Sequence, residues 1–365
     1  MRLSELVLID KSPEVPNTWE FLPGYGRRKR VYLQQTNGEV IILSEELPSI
    51  LRKPLMGFEE ATYLRGWNSG KRSALLPIGK KWYKLKGIYP SSTPHLDPLQ
   101  PSGCMRESFI LKELEVSERL AEYGRNEDIL PPLEPLGYYR YNLKFLDENV
   151  GCCLFKTRGD SRLAEYLPRV LRILYRLHNK GKKDLSKLKT ELTDKIGKWL
   201  GFWLRGLKKN ETTWGTVFAK DGEKIKVYNT NVHPLNMVLY CVEDGVGVGL
   251  IDFDLSISKK DKISIQPFYK KLGIVEVNFE RILNYEEKEI RKYLRNLGLE
   301  LYIIENINEK LDFYTEIPYS KLNEVKDKDM EVLKAFEDGL KGKELPEPIN
   351  INFFKKLSYV KNFVK

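Results

Sequence analysis

The sequence has four cysteines and no arrangement of them that carries chemistry. Cys152 and Cys153 are adjacent, while Cys104 and Cys241 stand alone, so neither a paired zinc spacing nor a disulfide framework can be drawn. They read as free thiols in a reducing compartment. Long apolar runs are missing too. Nothing approaches the length of a membrane span, and the N-terminus lacks the charged-then-apolar layout of a secretory signal. A cytoplasmic protein with no membrane partner is the expectation. There is no internal repeat and no low-complexity tract, which sets aside repeat arrays and disordered scaffolds. Gly70-Lys71 is not a P-loop, because G-x-x-x-x-G-K-[ST] must open a helix and the run that follows here is β.

What is present is a chain of 365 residues, 41% hydrophobic and 11% aromatic. That is enough for a packed core and too long for one ordinary core, so a two-lobed molecule with room for a cleft is expected. The net charge is +10. Its lysines are scattered through residues 182–226, 259–271 and 355–365 without an RNA-binding signature. This favours a solvated basic surface around a nucleotide site; a nucleic-acid partner stays possible but is not favoured.

The stretch with the most chemistry is Tyr228 to Ser256. Two apolar β-rich runs, Met237 to Tyr240 and Val246 to Ile251, flank a turn built on Glu243-Asp244-Gly245 and read as a hairpin. The hairpin brings Asn236, just before its first strand, and Asp252, just after its second, to the same end. An amide oxygen and a carboxylate there, with Asp254 close behind, make a hard-oxygen site suited to Mg2+ on a nucleotide polyphosphate such as ATP. Taken singly, each of these residues is also an ordinary turn or cap former. His233, beside Pro234, is either a loop support or a base.

Residues 1–58 read as a small N-terminal extension, in which Arg30 to Leu33 and Val40 to Leu43 alternate around Thr36-Asn37-Gly38, a hairpin signal. Residues 59–159 read as a mostly β module with one inserted helix. Arg65 to Ser73 is a polar turn whose Gly70, Lys71 and Arg72 suit a cover for phosphates, with an ordinary hairpin as the competing reading. Strands follow at Ala74 to Ile78 and Trp82 to Lys86, and Lys84 and Lys86 share a face of the second. Arg106 to Tyr123 carries helix formers with apolar positions at Phe109, Ile110, Leu114, Val116 and Leu120. Glu113 and Glu115 sit mid-helix. A strand lysine and an inward glutamate, about 3 Å apart, form the ion pair that fixes an ammonium against nucleotide phosphates. Residues 160–365 read as a helical second half. Its apolar stripe runs from Leu163 to His178, and Trp199, Phe202 and Trp203 form a core cluster on a second helix.

These islands resemble the protein-kinase-like superfamily, and within it are most similar to selenoprotein O (SelO), the family of kinase-fold protein adenylyltransferases. The likeness lies in Ser69-Gly70-Lys71-Arg72-Ser73-Ala74-Leu75-Leu76, Leu85-Lys86-Gly87, Arg106 with Lys112 to Glu118, and Asn236-Met237 with Ile251-Asp252. It covers residues 65 to 256 in scattered pieces. It implies an α+β, two-lobed protein-kinase-like fold with a β-rich N-lobe, a helical C-lobe and a small N-terminal extension. By position it implies that Lys86 contacts phosphates, Glu113 pairs with Lys86, and Asn236 and Asp252 bind Mg2+. It also implies that Lys156, Arg158 and Arg162, after the strand joining the lobes, hold the nucleotide in a reversed orientation. The expected activity is transfer from Mg-ATP to a protein hydroxyl, adenylyl before phosphoryl. A conventional or RNA-directed kinase and a nucleotide-binding pseudokinase are the alternatives. One departure stands out. Where kinases carry a catalytic Asp five residues before the metal-binding Asn, this chain has Asn231, and an amide cannot take a proton.

Overall fold

A polar turn at Gly79-Lys80, with Gly79 at φ +60°, joins β5 (Ser73–Ile78) to β6 (Lys81–Lys86). The register runs from Ile78 opposite Lys81 to Ser73 opposite Lys86. Tyr83 and Leu85 enter one apolar core with Ala74 and Leu76, so the two-residue period of the strand turns Lys84 and Lys86 to its other face. The computed structural model describes residues 30–58, 64–68, 72–89, 101, 103–164, 185–243, 245–261, 278–306 and 330–350. Gly70, Lys71 and the expected helix beyond residue 164 lie outside the described residues.

The first lobe is a nine-stranded sheet that also contains β1 (Arg30–Gln35), β2 (Gly38–Ile42), β3 (Leu55–Phe58), β4 (Leu64–Asn68), β7 (Met105–Arg106), β8 (Leu133–Phe145) and β9 (Glu148–Thr157). Its order is β2-β8-β9-β6-β5-β4-β1-β3, with β7 on β9. The hairpin expected at Asn37-Gly38 does not form. Both strands exist, but β1 pairs with β3 and β4, whereas β2 pairs with β8 at the opposite end of the order. Only residues 36 and 37 separate them, a reach of roughly 10 Å, so the sheet curls until its two ends approach. Gly38 serves that closure. A Cβ there would lie 2.4 Å from the Arg140 carbonyl oxygen, and its missing side chain admits β8 in place of a partner across a tight turn. The boundary expected at residue 58 thus falls between strands of one sheet.

Helix α1 (Glu107–Asn126) crosses the sheet face that carries the two lysines. Phe109, Ile110 and Leu114 pack with Phe155 and Cys153 of β9 and with Val238, Ile251 and Leu255 from the second half of the chain. Beyond Thr157, a short link and β10 (Ser161–Arg162) lead to the second lobe. There α2 (Leu185–Lys209), α3 (Phe279–Asn306) and α4 (Glu331–Lys341) surround a four-stranded sheet ordered β10-β13-β14-β15, built with β13 (Met237–Val242), β14 (Gly245–Leu250) and β15 (Ile349–Asn350). Trp199, Phe202 and Trp203 of α2 are in this core, as their spacing predicts. Trp203 also donates its indole N–H to the Val248 carbonyl at 2.8 Å, which locks α2 onto the expected hairpin. A second hairpin, β11 (Thr216–Asp221) and β12 (Lys224–Thr230), occupies most of the span between α2 and Asn231. Among the described residues, no helix is long and apolar enough to cross a membrane.

Candidate nucleotide and metal site

Lys86 is buried on β6, and Glu113 is buried on α1 between Ile110 and Leu114. The helical period that sinks those apolar neighbours carries Glu113 inward with them. Lys86 Nζ meets Glu113 Oε2 at 2.8 Å, the pair expected from sequence. The same oxygen accepts the Phe253 backbone N–H at 2.6 Å. One carboxylate thus ties α1 and β6 to the segment that follows the second-lobe hairpin.

That hairpin has the register Met237 opposite Leu250 through Val242 opposite Gly245, which places residues 236 and 251 side by side. The Ile251 N–H donates to the Asn236 carbonyl at 3.0 Å. Asp252 follows at φ +73°, a left-handed conformation that Asp and Asn tolerate better than other side chains. The bend returns its carboxylate to Lys86, in direct contact with the ammonium. Asp254 Oδ2 lies 3.7 Å from the same ammonium, and Arg72, entering β5, reaches it at 3.2 Å. Of the expected phosphate cover, Arg72 is thus at the cleft. Burial alone would lower the Lys86 pKa, but Asp252, Asp254 and Glu113 outweigh it and hold the ammonium above its ordinary value. Burial would likewise raise Asp252, yet Lys86 and Arg72 hold it well below the usual carboxylate range. Glu113, with no exposure at all, stays raised by burial against the pull of Lys86.

Glu113, Asp252 and Asp254 each offer an oxygen within 4.8 Å of the others. Asn236 uses its amide nitrogen toward the Asn231 carbonyl at 3.1 Å and the His233 ring at 3.3 Å, which leaves its amide oxygen for a cation. Glu113 Oε1 is buried without a hydrogen-bond partner. A set of carboxylate and amide oxygens, free of sulfur, fits Mg2+. The sequence points to Asn236, Asp252 and Asp254; that Glu113 stands next to the two aspartates comes from the helix packing.

The other expected residues divide. Arg162 is at the cleft, bonded to the Leu235 carbonyl at 2.7 Å and to Asp160 at 3.3 Å. Lys156 instead pairs with Glu46 at 2.9 Å and Glu134 at 3.3 Å, and Arg158 with Glu134 at 3.2 Å. His233 is half-buried, and burial keeps its imidazole below the ordinary value. Its ring nitrogen faces the Asn236 amide, so it braces the metal-side loop. Asn231 donates from its side-chain nitrogen to the Asp252 carbonyl at 2.6 Å and to Asp254 Oδ1 at 3.1 Å. From sequence, Asn231→Asp looks like the restoration of a base. Here it would set a carboxylate against two acceptors. We expect it to lower stability by about 2–4 kcal/mol in urea unfolding, from two lost hydrogen bonds, one of them to a carboxylate, and a buried repulsion, and to gain no phosphoryl transfer. A variant as stable as the parent would show that the amide is not engaged.

Two features escaped the sequence reading. Lys84 is buried against Asp160 at 2.9 Å; burial lowers its pKa to about 8, with Asp160 opposing. A second ammonium thus lines the face that carries Lys86. The strand period puts Lys84 on that face, but its partner lies 76 residues away. Glu286 of α3 is fully buried and accepts the N–H groups of Trp214, Gly215 and Thr216 at 2.7, 2.8 and 3.0 Å. Burial raises its carboxyl to about 7. It pins the segment whose Gly215 carbonyl accepts the Asn231 N–H at 2.9 Å. No sequence signal marks this glutamate beyond its place on an amphipathic helix.

A β-rich lobe with a strand lysine held by a helix glutamate is joined by a short link to a helical lobe. The hairpin of that second lobe leads into two carboxylates at the lysine, with an amide at the same hairpin end. This is a two-lobed α+β protein-kinase-like fold. No protein-family model matches the chain, and no curated protein matches it. Among solved structures it is similar to a Toxoplasma gondii specific rhoptry antigen kinase domain, with 12% identity, 90% of this chain and 87% of that chain covered, and a TM-score of 0.35. It is also similar to a rhoptry kinase from Toxoplasma gondii, with 12% identity, 100% and 97% covered, and a TM-score of 0.33. At these scores the likeness carries no argument.

Proposed function

We propose that the cleft binds Mg-ATP and transfers a phosphorus-containing group to a protein hydroxyl, adenylyl in preference to phosphoryl. The observation that carries the reading is Lys86 held by Glu113 while facing Asp252 and Asp254, with Asn236 joined to Ile251 beside them. A buried ammonium that touches three carboxylates suits a site where phosphates and a divalent cation exchange places with those ion pairs. There Lys86 would meet a phosphate oxygen and Glu113 would keep it from swinging away. Asn236, Asp252 and Asp254 would hold the metal, and Arg72 would add charge from the start of β5. Bound Mg2+ supplies charge neutralisation on the phosphate oxygens.

The preference for adenylyl rests on Asn231 together with the SelO-like islands of sequence. An amide bonded to Asp252 and Asp254 takes no proton from an incoming hydroxyl at the kinase position. In adenylyl transfer the hydroxyl oxygen bonds to the α-phosphorus as the bond to the β-phosphate oxygen breaks. Pyrophosphate leaves, and the hydroxyl proton passes to it or to water. Positioning and charge stabilisation carry most of such a step. The committed Asn231 also favours a second reading, a pseudokinase that binds nucleotide and recruits partners.

Incubation with ATP labelled at the α or the γ phosphate, with the chain itself and lysate proteins as acceptors, separates these. Covalent α label is expected. Covalent γ label alone would make the protein a kinase, and no label despite measured ATP binding would leave the pseudokinase.

A further inference from the structure

Away from the nucleotide cleft, α3 and α4 enclose a second concavity of about 620 Å3. Lys288, Arg291, Lys292 and Arg295 fall at i, i+3, i+4 and i+7 of α3 and so line one face of that helix. Opposite them stand Lys334 and Lys341 of α4, with Lys343 just past its end. The acids in the wall are Glu337 and Asp338. Glu337 pairs with Arg291 at 3.0 Å and Lys341 at 2.7 Å. Asp338 pairs with Lys343 at 2.8 Å, Glu287 adds a 2.8 Å contact to Arg291, and Glu289 lies 3.9 Å from Lys292. These acids leave a surplus. Lys288 and Lys334 meet no carboxylate at ion-pair distance among the described residues, and both are exposed. Arg291 is aimed rather than loose, with its guanidinium 5.1 Å from the centre of the buried Phe336 ring.

Like charges three and four residues apart on a helix destabilise it, and a second row of cations across a concavity adds to the repulsion. The same field concentrates anions between low-dielectric walls. We propose that this cleft binds a small polyphosphorylated anion, several phosphate groups on one compact scaffold. Cations on two facing walls match a ligand with phosphates on more than one side, and the volume admits a ligand of nucleotide size. A single-stranded nucleic acid is the poorer match, because among the described residues no exposed aromatic face lines the cleft to stack a base. The chemistry is shared by soluble polyphosphates and by phosphorylated lipid headgroups.

The full chain is titrated calorimetrically with inositol hexakisphosphate and, separately, by sedimentation with vesicles carrying phosphatidylinositol bisphosphate. Wild-type protein is expected to bind at least one of these, more weakly as salt rises. The Lys288→Gln/Lys292→Gln/Lys334→Gln variant is expected to bind about tenfold or more weakly, since three charges facing the ligand are gone. All three lysines are exposed, so its melting temperature should be unchanged or slightly higher. Binding in the Lys86→Ala background should persist, which separates this site from the nucleotide cleft. Soluble binding assigns a free polyphosphate; vesicle binding alone, lost in the triple variant, assigns a lipid headgroup. Either result supports the cleft. No binding to either probe, equal binding by the triple variant, or a response to single-stranded RNA alone would overturn the proposal.

Discussion

Lys86→Ala should abolish transfer and, at neutral pH, cost about 3–5 kcal/mol of stability, the range for removing one partner of a buried ion pair. From sequence alone a cleft lysine carries little of the core, and its loss should leave the fold intact. The burial of the site changes that expectation. Lys86 is in contact with Glu113, Asp252 and Asp254, and the Glu113 side chain has no exposure at all. Without the ammonium, Arg72 remains, reaching Asp254, and Arg162 acts on Asp252 from farther off. The pH dependence has a definite sign. Burial already raises the Glu113 pKa, and losing Lys86 raises it further. An acid whose pKa is higher in the folded state than in the unfolded state stabilises the fold most when protonated, and that contribution fades as pH climbs through the folded pKa. The stability gap between variant and wild type should therefore be widest near neutral pH and narrow as the solution is acidified. Urea unfolding at several pH values measures it. A variant as stable as wild type at neutral pH would mean that the cluster is not buried as described.

Asp252→Asn should remove most of the stabilisation that Mg-ATP confers while changing the unliganded protein less. A ligand at a hundredfold excess over its Kd stabilises the protein it binds by about 2.7 kcal/mol, a shift of several degrees in melting temperature. Asp252 offers the most exposed carboxylate of the cluster, so it is the first to meet an incoming cation. Asparagine is the informative replacement, because it tolerates φ +73° about as well as aspartate and removes the charge without straining the backbone. Lys86 keeps Glu113 and Asp254. Equal melting shifts with Mg-ATP in the variant and wild type would remove Asp252 from the metal site and undercut the proposed function.

Much of the site was legible because it is encoded locally. The two-residue period of Trp82 to Lys86 determined that Lys84 and Lys86 share a face. The helical period of Phe109 to Leu120 turned Glu113 inward, and a turn between two apolar runs brought Asn236 beside Asp252. Each of these depends on residues within one or two elements, where pattern and geometry are nearly the same thing. The tertiary structure decided whatever depends on a partner from elsewhere in the chain. Asn37-Gly38 carries the local signal of a hairpin, yet the curl of the sheet gives β1 and β2 different neighbours. Lys156 and Arg158 bear the right charge for phosphate, but Glu46 and Glu134 face them. Asn231 occupies the position of a base, and its role is set by Asp252 and Asp254, more than twenty residues on. Lys84 with Asp160, and Glu286 beneath residues 214–216, have no local signature at all. A sequence period fixes which way a side chain points relative to its own element. Which charge waits there is settled only when distant segments pack, because ion pairs in a low-dielectric interior form wherever the fold brings opposite charges together.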